Sequence, residues 1–116
     1  MELHMRFQVK PLSANKMFYR NKNKTVEYRD YQNEIRDQLM GTEWEFGKEE
    51  VVFEVTAGFS NRAADLDNCI KPFLDTYQNI YDDFNDNKVY KIILTKDIVQ
   101  KGEEYLDVKI YPNKLS

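Results

Sequence analysis

The apolar residues of this chain change spacing along its length, and this pattern constrains the fold more than any other feature. Residues 3–10 alternate apolar and polar side chains, a period of two that is typical of a strand. Tyr28, Tyr31, Ile35 and Leu39 then recur at helical spacing. The spacing of the apolar residues predicts a strand over 3–10, a helix over 26–40, a strand over 49–59, a helix over 65–79, and strands over 88–96 and 104–111.

The resulting order, β-α-β-α-β-β, predicts an α+β domain of two layers, with a mixed sheet and helices packed on it. Gly41 is the predicted stop of the first helix. Pro72 belongs in the first turn of the second helix, where no intrahelical N–H bond is lost. We expect the last two strands to form a hairpin around Lys101-Gly102, and the whole chain, 1–116, to be a single domain.

The composition excludes several classes of protein. Cys69 is the single cysteine, so no disulfide forms within one chain, and a reducing cytoplasm is the expected compartment. His4 is the single histidine, which leaves little material for a zinc site or a Ser-His-Asp triad. No apolar run is long enough for a membrane span, and residues 1–10 have no apolar core of a secretory signal, so no membrane partner is expected.

Charge is distributed unevenly along the chain. Residues 1–29 contain seven basic and two acidic side chains, a net charge of +5, whereas the remainder has a net charge of −8. One interpretation is a solvated surface with no functional meaning. The other is a segment that faces phosphates beside an acidic cluster that binds a metal ion.

The acidic cluster lies at the predicted junction between a strand and a helix. Asp65 and Asp67 are two residues apart, a spacing that sends both carboxylates to one side in extended or helix-entry backbone. Lys71 lies one helical turn beyond Asp67, so we expect two carboxylates and a lysine to converge. Such carboxylates favour a hard cation such as Mg²⁺. The alternative is structural: Asp67 caps the helix and Lys71 is a solvated partner.

A second acidic stretch covers residues 82–87. Taken as a calcium-binding loop starting at Asp83, it has Lys88 at the glycine position and Leu94 at the terminal glutamate position. Both essential features are missing, so the sequence excludes an EF-hand. Asp and Asn are also ordinary turn residues, and a helix-to-strand turn is the simpler interpretation.

Together, three segments of the chain resemble the RusA family of Holliday junction resolvases. The first is Pro11-x-Ser13-x-Asn15 with the following Tyr19-Arg20. The second is the block D-L-D-N-x-x-K-P-x-x-D over residues 65–75, and the third is Asn85-Asp86-x-x-Val89 ahead of a strand that ends in Lys96. The resemblance extends over residues 7–111, and the central block is the most specific part.

The resemblance implies a catalytic set and its metal ion. The family's two central aspartates correspond to Asp65 and Asp67, and its lysine to Lys71. The third aspartate corresponds to Asp86, with Asp83 as the alternative, because Asn85 stands where the family has an acid. The three aspartates would hold Mg²⁺, with Mn²⁺ as a possible substitute, and no organic cofactor is implied.

The resemblance also implies a DNA-binding surface. Family members can carry a run of arginines before the D-x-D, whereas this chain has only Arg62 there. Phosphate contacts then depend on the basic N-terminal segment, with Asn15 as the polar residue that positions a backbone phosphate. The predicted DNA-binding residues are Asn15, Lys16, Arg20, Lys22, Lys24 and Arg62.

The activity implied by the resemblance is that of a Mg²⁺-dependent endodeoxyribonuclease in DNA recombination and repair. It resolves four-way junctions by paired symmetric nicks and acts as a homodimer, a form that matches the two-fold symmetry of the junction. Small resolvases of this kind are often carried by phages and prophages. The alternative is a weakly active or inactive module of the same fold that only binds branched DNA.

Overall fold

A computed structural model describes residues 2–114 and has the predicted order of elements. The helices and strands are β1 (Leu3–Phe7), α1 (Val26–Gln38), β2 (Val51–Phe59), α2 (Ile70–Ile80), β3 (Val89–Ile98) and β4 (Tyr105–Pro112). Three short 3-10 helices lie between them, at Ala14–Lys16, Asp67–Cys69 and Asp86–Lys88. The α+β class is therefore confirmed.

The four strands form one mixed sheet in the order β1-β4-β2-β3. β4 pairs antiparallel with both β1 and β2, while β2 and β3 are parallel. β2 is almost completely buried along its nine residues, as expected for a strand with neighbours on both sides and helices above it. The predicted mixed sheet is confirmed.

The hairpin predicted for the last two strands is wrong. β3 and β4 are consecutive in the chain, but β2 lies between them. The connection over 99–104 passes the end of β2, where the Val99 N–H donates to the Phe59 carbonyl at 2.8 Å and the Ser60 hydroxyl donates to Glu104 at 2.7 Å. The apolar β2 takes the protected central position, and the more exposed β3 is left at the edge.

The core lies between the sheet and the helices and is rich in aromatic side chains. Phe53 on β2 packs against Phe73 and Tyr77 of α2, with ring centroids 6.4 Å and 5.9 Å apart. Phe84 and Trp44 close this cluster at 4.9 Å from each other. Edge-to-face contacts of this kind add to the free energy of burial. The same cluster holds α2 over β2 and so positions the residues that precede α2.

Local sequence signals account for the helix ends. Thr25 caps α1 by accepting a hydrogen bond from the Tyr28 N–H at 3.1 Å. Gly41, two residues after the C-cap of α1, has φ +87°, a conformation that favours glycine. Pro72 is the third residue of α2, which confirms its place in the first turn. Within residues 2–114, neither helix has the length and apolar character needed to cross a bilayer.

Candidate functional site

A cleft of about 620 Å³ lies between α1, the N-terminal segment and the chain that follows β2. Its apolar floor includes Val9, Phe59 and Cys69, and its polar rim includes Asp65. The size is in the range of ligand-binding clefts. Lys16 of the N-terminal segment and Asp65 of the central segment therefore line the same cleft.

Asp65 and Asp67 lie on the short stretch that joins this cleft to α2. Asp65 lines the cleft, and Asp67 is the first residue of the Asp67–Cys69 3-10 helix. Leu66 between them has helical backbone (φ −62°, ψ −42°), so the alternation of an extended strand does not set their relative direction. Both side chains are exposed, and within residues 2–114 neither has a basic side chain within ion-pair distance.

Lys96 fixes the backbone just before this pair of aspartates. Its Nζ atom donates to the carbonyl oxygens of Arg62 and Ala64, each at 2.6 Å, and lies 5.7 Å from the Phe59 ring. Lys96 stands opposite Ala57, on the face of β3 that is directed toward the helices. A lysine at the two-residue spacing of the apolar side chains of a strand is the signal that could have marked Lys96. We did not predict Lys96 as a site residue.

Lys71 makes its ion pair one turn further along α2, and among the described residues it makes none with Asp67. Its Nζ atom lies 3.4 Å from an Asp75 oxygen, one helical turn further along α2. Both side chains are substantially exposed, so the contact contributes little to stability. In residues 2–114, Asp65 accepts a hydrogen bond from the Asn68 side chain at 3.4 Å, and neither Asp65 nor Asp67 forms an ion pair, whereas Lys71 pairs with Asp75.

Asp86 and Asp83 lie at the other end of α2. The Asp86 N–H donates to the Gln78 side chain in the last turn of α2 at 3.0 Å. The eleven residues of α2 separate this end from Asp67, which corresponds to about 16 Å at 1.5 Å per residue. Among residues 2–114, no three acidic, histidine or cysteine side chains meet in one metal-binding cluster. One chain therefore does not bring Asp86 to Asp65 and Asp67.

The basic N-terminal residues are split between the cleft and a small hairpin. The Ala14–Lys16 3-10 helix packs against α2 and the Asp67–Cys69 helix, so Asn15 and Lys16 lie on an element next to the one that contains Asp67. Phe18 and Lys24 form an isolated antiparallel bridge that closes the hairpin 18–24. Arg20 and Lys22 are exposed in it, and Lys22 has a left-handed backbone (φ +69°).

Lys24 and two aromatic residues distinguish this hairpin from a plain charged loop. Lys24 Nζ donates to Gln32 at 2.9 Å and lies 5.5 Å from the Tyr28 ring, so it anchors the hairpin to α1. Phe18 and Tyr19 are 50% and 53% exposed, although both are large and aromatic. Exposed aromatic rings among cations are typical of surfaces that stack on unpaired bases.

Acidic side chains of α1 form one wall of the cleft, and they were not among the residues predicted from the sequence. Glu27, Asp30 and Glu34 lie along one face of α1 and line the cleft, with Glu104 also at its rim. Their spacing of three and four residues is the signal that could have identified this face. The Ser60 hydroxyl and backbone N–H groups stabilise the Glu104 carboxylate and lower its pKa. Lys10 and Lys16 are the two cations on the same rim.

Two ionisable groups in the cleft floor remain neutral. Burial raises the pKa of the Cys69 thiol to about 11, so Cys69 is a core residue and not a nucleophile. Burial also raises the pKa of Tyr31 well above its usual value. The Tyr31 hydroxyl has no hydrogen-bond partner among residues 2–114.

The side chains present fit a magnesium ion in part. Mg²⁺ prefers oxygen ligands and usually takes one or two carboxylates together with water. Asp65 and Asp67 supply two such groups without a competing basic partner in the described residues.

Neither the models of known protein families nor the curated protein sequences match this chain.

Proposed function

We propose that this protein is a Mg²⁺-dependent endodeoxyribonuclease that cuts branched DNA, with the four-way junction as its substrate. The observation that carries the proposal is the pair Asp65 and Asp67, exposed at the entrance to α2 without a neutralising cation among residues 2–114. Two adjacent anions favour a bound divalent cation. The resemblance of residues 65–75 to the RusA block supports the same conclusion.

Binding to DNA is supported by the basic segment next to the Asp67–Cys69 helix. Asn15 and Lys16 lie beside the Asp67–Cys69 helix, and Arg20 and Lys22 extend the positive surface into the hairpin 18–24. Cations contact phosphates without regard to sequence, whereas exposed rings stack on bases that have lost their partners. A surface with both features suits a junction, whose strands exchange at its centre.

The residues of the chain would divide the work as follows. Asp65 and Asp67 would hold Mg²⁺ or Mn²⁺, which when bound activates water and stabilises the charge that develops on the phosphate. Lys96 keeps the 62–64 backbone in place, and so positions Asp65. Lys71, Asn15 and Lys16 would orient the scissile phosphate. Water adds to phosphorus and the bond to the 3′ oxygen breaks, which gives a 5′-phosphate and a 3′-hydroxyl.

A cleavage assay on a synthetic mobile four-way junction tests this function. Wild-type protein should give paired symmetric nicks with Mg²⁺ and none with EDTA. Asp67→Asn should abolish cleavage while binding to the junction changes little, because it removes a ligand and not a phosphate contact. Asp86→Asn and Asp83→Asn, assayed in parallel, identify the third carboxylate, which we expect to be Asp86.

The second candidate function is a junction-binding module without cleavage. The position of Asp86, about one helix length from Asp67, favours it, because one chain then holds two of the three expected carboxylates. Tight binding to the junction without Mg²⁺-dependent nicks would support this second function. Absence of both binding and cleavage would contradict both proposals.

A further inference from the structure

The cleft carries an excess of negative charge. Five acidic and two basic side chains line it: Glu27, Asp30, Glu34, Asp65 and Glu104, with Lys10 and Lys16. Among residues 2–114, none of these seven side chains takes part in an ion pair. A polyanion is repelled by such a surface, so the cleft suits a different ligand from the one proposed for the hairpin 18–24.

Three of the acids form a row along α1, and we call this row the acidic wall: Glu27, Asp30 and Glu34. All three residues are exposed, and their spacing of three and four residues makes them neighbours on one face of the helix. Like charges at this spacing destabilise a helix, so the wall is favourable only when positive charge is brought to it.

The length of the acidic wall indicates the shape of that positive charge. From Glu27 to Glu34 the helix rises about 10 Å, at 1.5 Å per residue. Within residues 2–114, no three acidic, histidine or cysteine side chains meet in a metal-binding cluster. Carboxylates spread in a row suit an extended cation with several charges better than a single metal ion.

A buried tyrosine in the same cleft is a second, independent sign of a ligand. Tyr31 lines the cleft and is only 3% exposed. Its hydroxyl has no hydrogen-bond partner among residues 2–114, whereas buried polar groups in proteins are nearly always paired. Because a hydroxyl oxygen can accept as well as donate, a ligand with N–H groups that reaches the floor would satisfy it.

The floor of the cleft indicates what lies between the charges of the ligand. Val9, Leu12 and Phe59 line the cleft and are buried in the apolar core. Aliphatic chains with a charged end cover apolar surface with their methylene groups and keep the charge in a polar environment. A cation with aliphatic segments between its charges therefore matches both the floor and the acidic wall.

We propose that this cleft binds a linear aliphatic polyamine, with its ammonium groups on the acidic wall and its methylene chain on the apolar floor. The ammonium groups donate to the carboxylates of Glu27, Asp30 and Glu34, and one of them also donates to the Tyr31 hydroxyl. Successive acids are separated by about 4.5 Å and 6 Å along the helix, spacings comparable with those of ammonium groups joined by three and four methylene groups.

Calorimetric titration of the whole chain with spermidine tests this proposal without DNA. Wild-type protein should bind one spermidine per chain, and Asp30→Asn/Glu34→Gln should raise the dissociation constant at least about tenfold, because two charge-assisted hydrogen bonds are lost. Glu43→Gln, which neutralises an exposed acid outside the cleft, is the matched control and should leave the dissociation constant unchanged. Absence of binding, or equal weakening in the control, would overturn the proposal.

Tyr31→Phe tests the contribution of the buried hydroxyl. It should raise the dissociation constant for spermidine at least about threefold, because it removes one acceptor and leaves the ring in place. The variant should unfold at a temperature no lower than wild type, since it deletes a buried polar group that has no partner in the described part of the chain. An unchanged affinity for spermidine would contradict the proposed contact.

Two further probes define the class of ligand. Putrescine, which has two ammonium groups, should bind more weakly than spermidine, because it spans only part of the acidic wall. Oligolysine tests the cleft as a site for a basic protein segment, and binding of oligolysine without binding of spermidine would refute the proposal. An inactive protein in the junction assay would refute the proposed nuclease and leave these titrations valid, since none of them contains DNA.

Discussion

Lys96 orders the backbone of the candidate site, although its own side chain is not one of the proposed metal ligands. Its ammonium group binds two backbone carbonyls of the segment that leads to Asp65, at 2.6 Å each. Charge-assisted hydrogen bonds are stronger than neutral ones, so this lysine restricts the 62–64 backbone more than a neutral donor would. Lys71, which belongs to the central motif, is bound instead to Asp75 on the surface of α2.

We expect Lys96→Met to lower the rate of junction cleavage at least tenfold while the junction dissociation constant changes less than about threefold. Methionine preserves the packing over Phe59 but offers no donors, so Asp65 loses its support. The concentration of Mg²⁺ at half-maximal cleavage should rise, and Lys96→Arg should recover part of the activity. Equal loss of binding and cleavage would contradict a positioning role for Lys96.

At the scale of elements, the hairpin 18–24 combines exposed cations with exposed aromatic side chains. Lys24 anchors it to α1 through Gln32, and the Phe18–Lys24 bridge closes it. The Thr25 hydroxyl donates to the Lys16 carbonyl at 2.6 Å and connects the hairpin to the cleft. These bonds fix the hairpin in a form that leaves the Tyr19 and Arg20 side chains exposed. A large aromatic side chain such as that of Tyr19 would otherwise be expected to pack in the core.

Tyr19→Ala should weaken binding to the four-way junction about tenfold or more, because stacking of one base on an aromatic ring is worth roughly 1–3 kcal/mol. The effect on uninterrupted duplex should be much smaller, since duplex bases are already stacked. Fluorescence anisotropy with both substrates measures the difference. Tyr90→Ala, which removes an exposed tyrosine far along the chain from the hairpin, is the matched control. Equal weakening for duplex and junction would refute stacking by Tyr19.

The whole molecule carries a net charge of −3 and yet is proposed to bind a polyanion. The positive charge is concentrated in residues 1–29, whereas acidic side chains of α1 line the cleft. Affinity must then come from a small number of localised contacts. Counterion release makes such binding fall steeply with salt, by a slope set by the number of phosphates contacted.

The salt dependence of junction binding should therefore report the number of phosphates that the protein contacts. If Lys16, Arg20, Lys22 and Arg62 each contact one phosphate, the slope of log K against log salt is roughly −3.6 for one chain and roughly −7 for a dimer. Lys22→Ala should reduce the magnitude by about 0.9 per chain. Arg36→Ala, at the far end of α1, should leave the slope unchanged. A slope near zero would exclude this surface as the DNA-binding face.

Local signals in the sequence determined most of the elements of this fold. The period of the apolar residues placed both helices and all four strands within a few residues of their observed bounds. Pro72 and Gly41 fall at the helix positions where their restricted or permissive backbones are favourable. The central block over 65–75 covers the entrance to α2 and its first turns, and its assignment as a metal site stays a prediction.

Only the tertiary structure decided how these elements meet. The hairpin prediction failed because β4 pairs with β2 and not with β3. The central position of β2 allows nearly all of its side chains to be buried. The support of Asp65 by Lys96, the acidic wall along α1 and the distance of Asp86 depend in the same way on residues far apart in sequence. Periodicity and turn chemistry act over a few residues, so they can be detected in the sequence. Strand order and the contacts between distant charged residues depend on which apolar surfaces pack against each other.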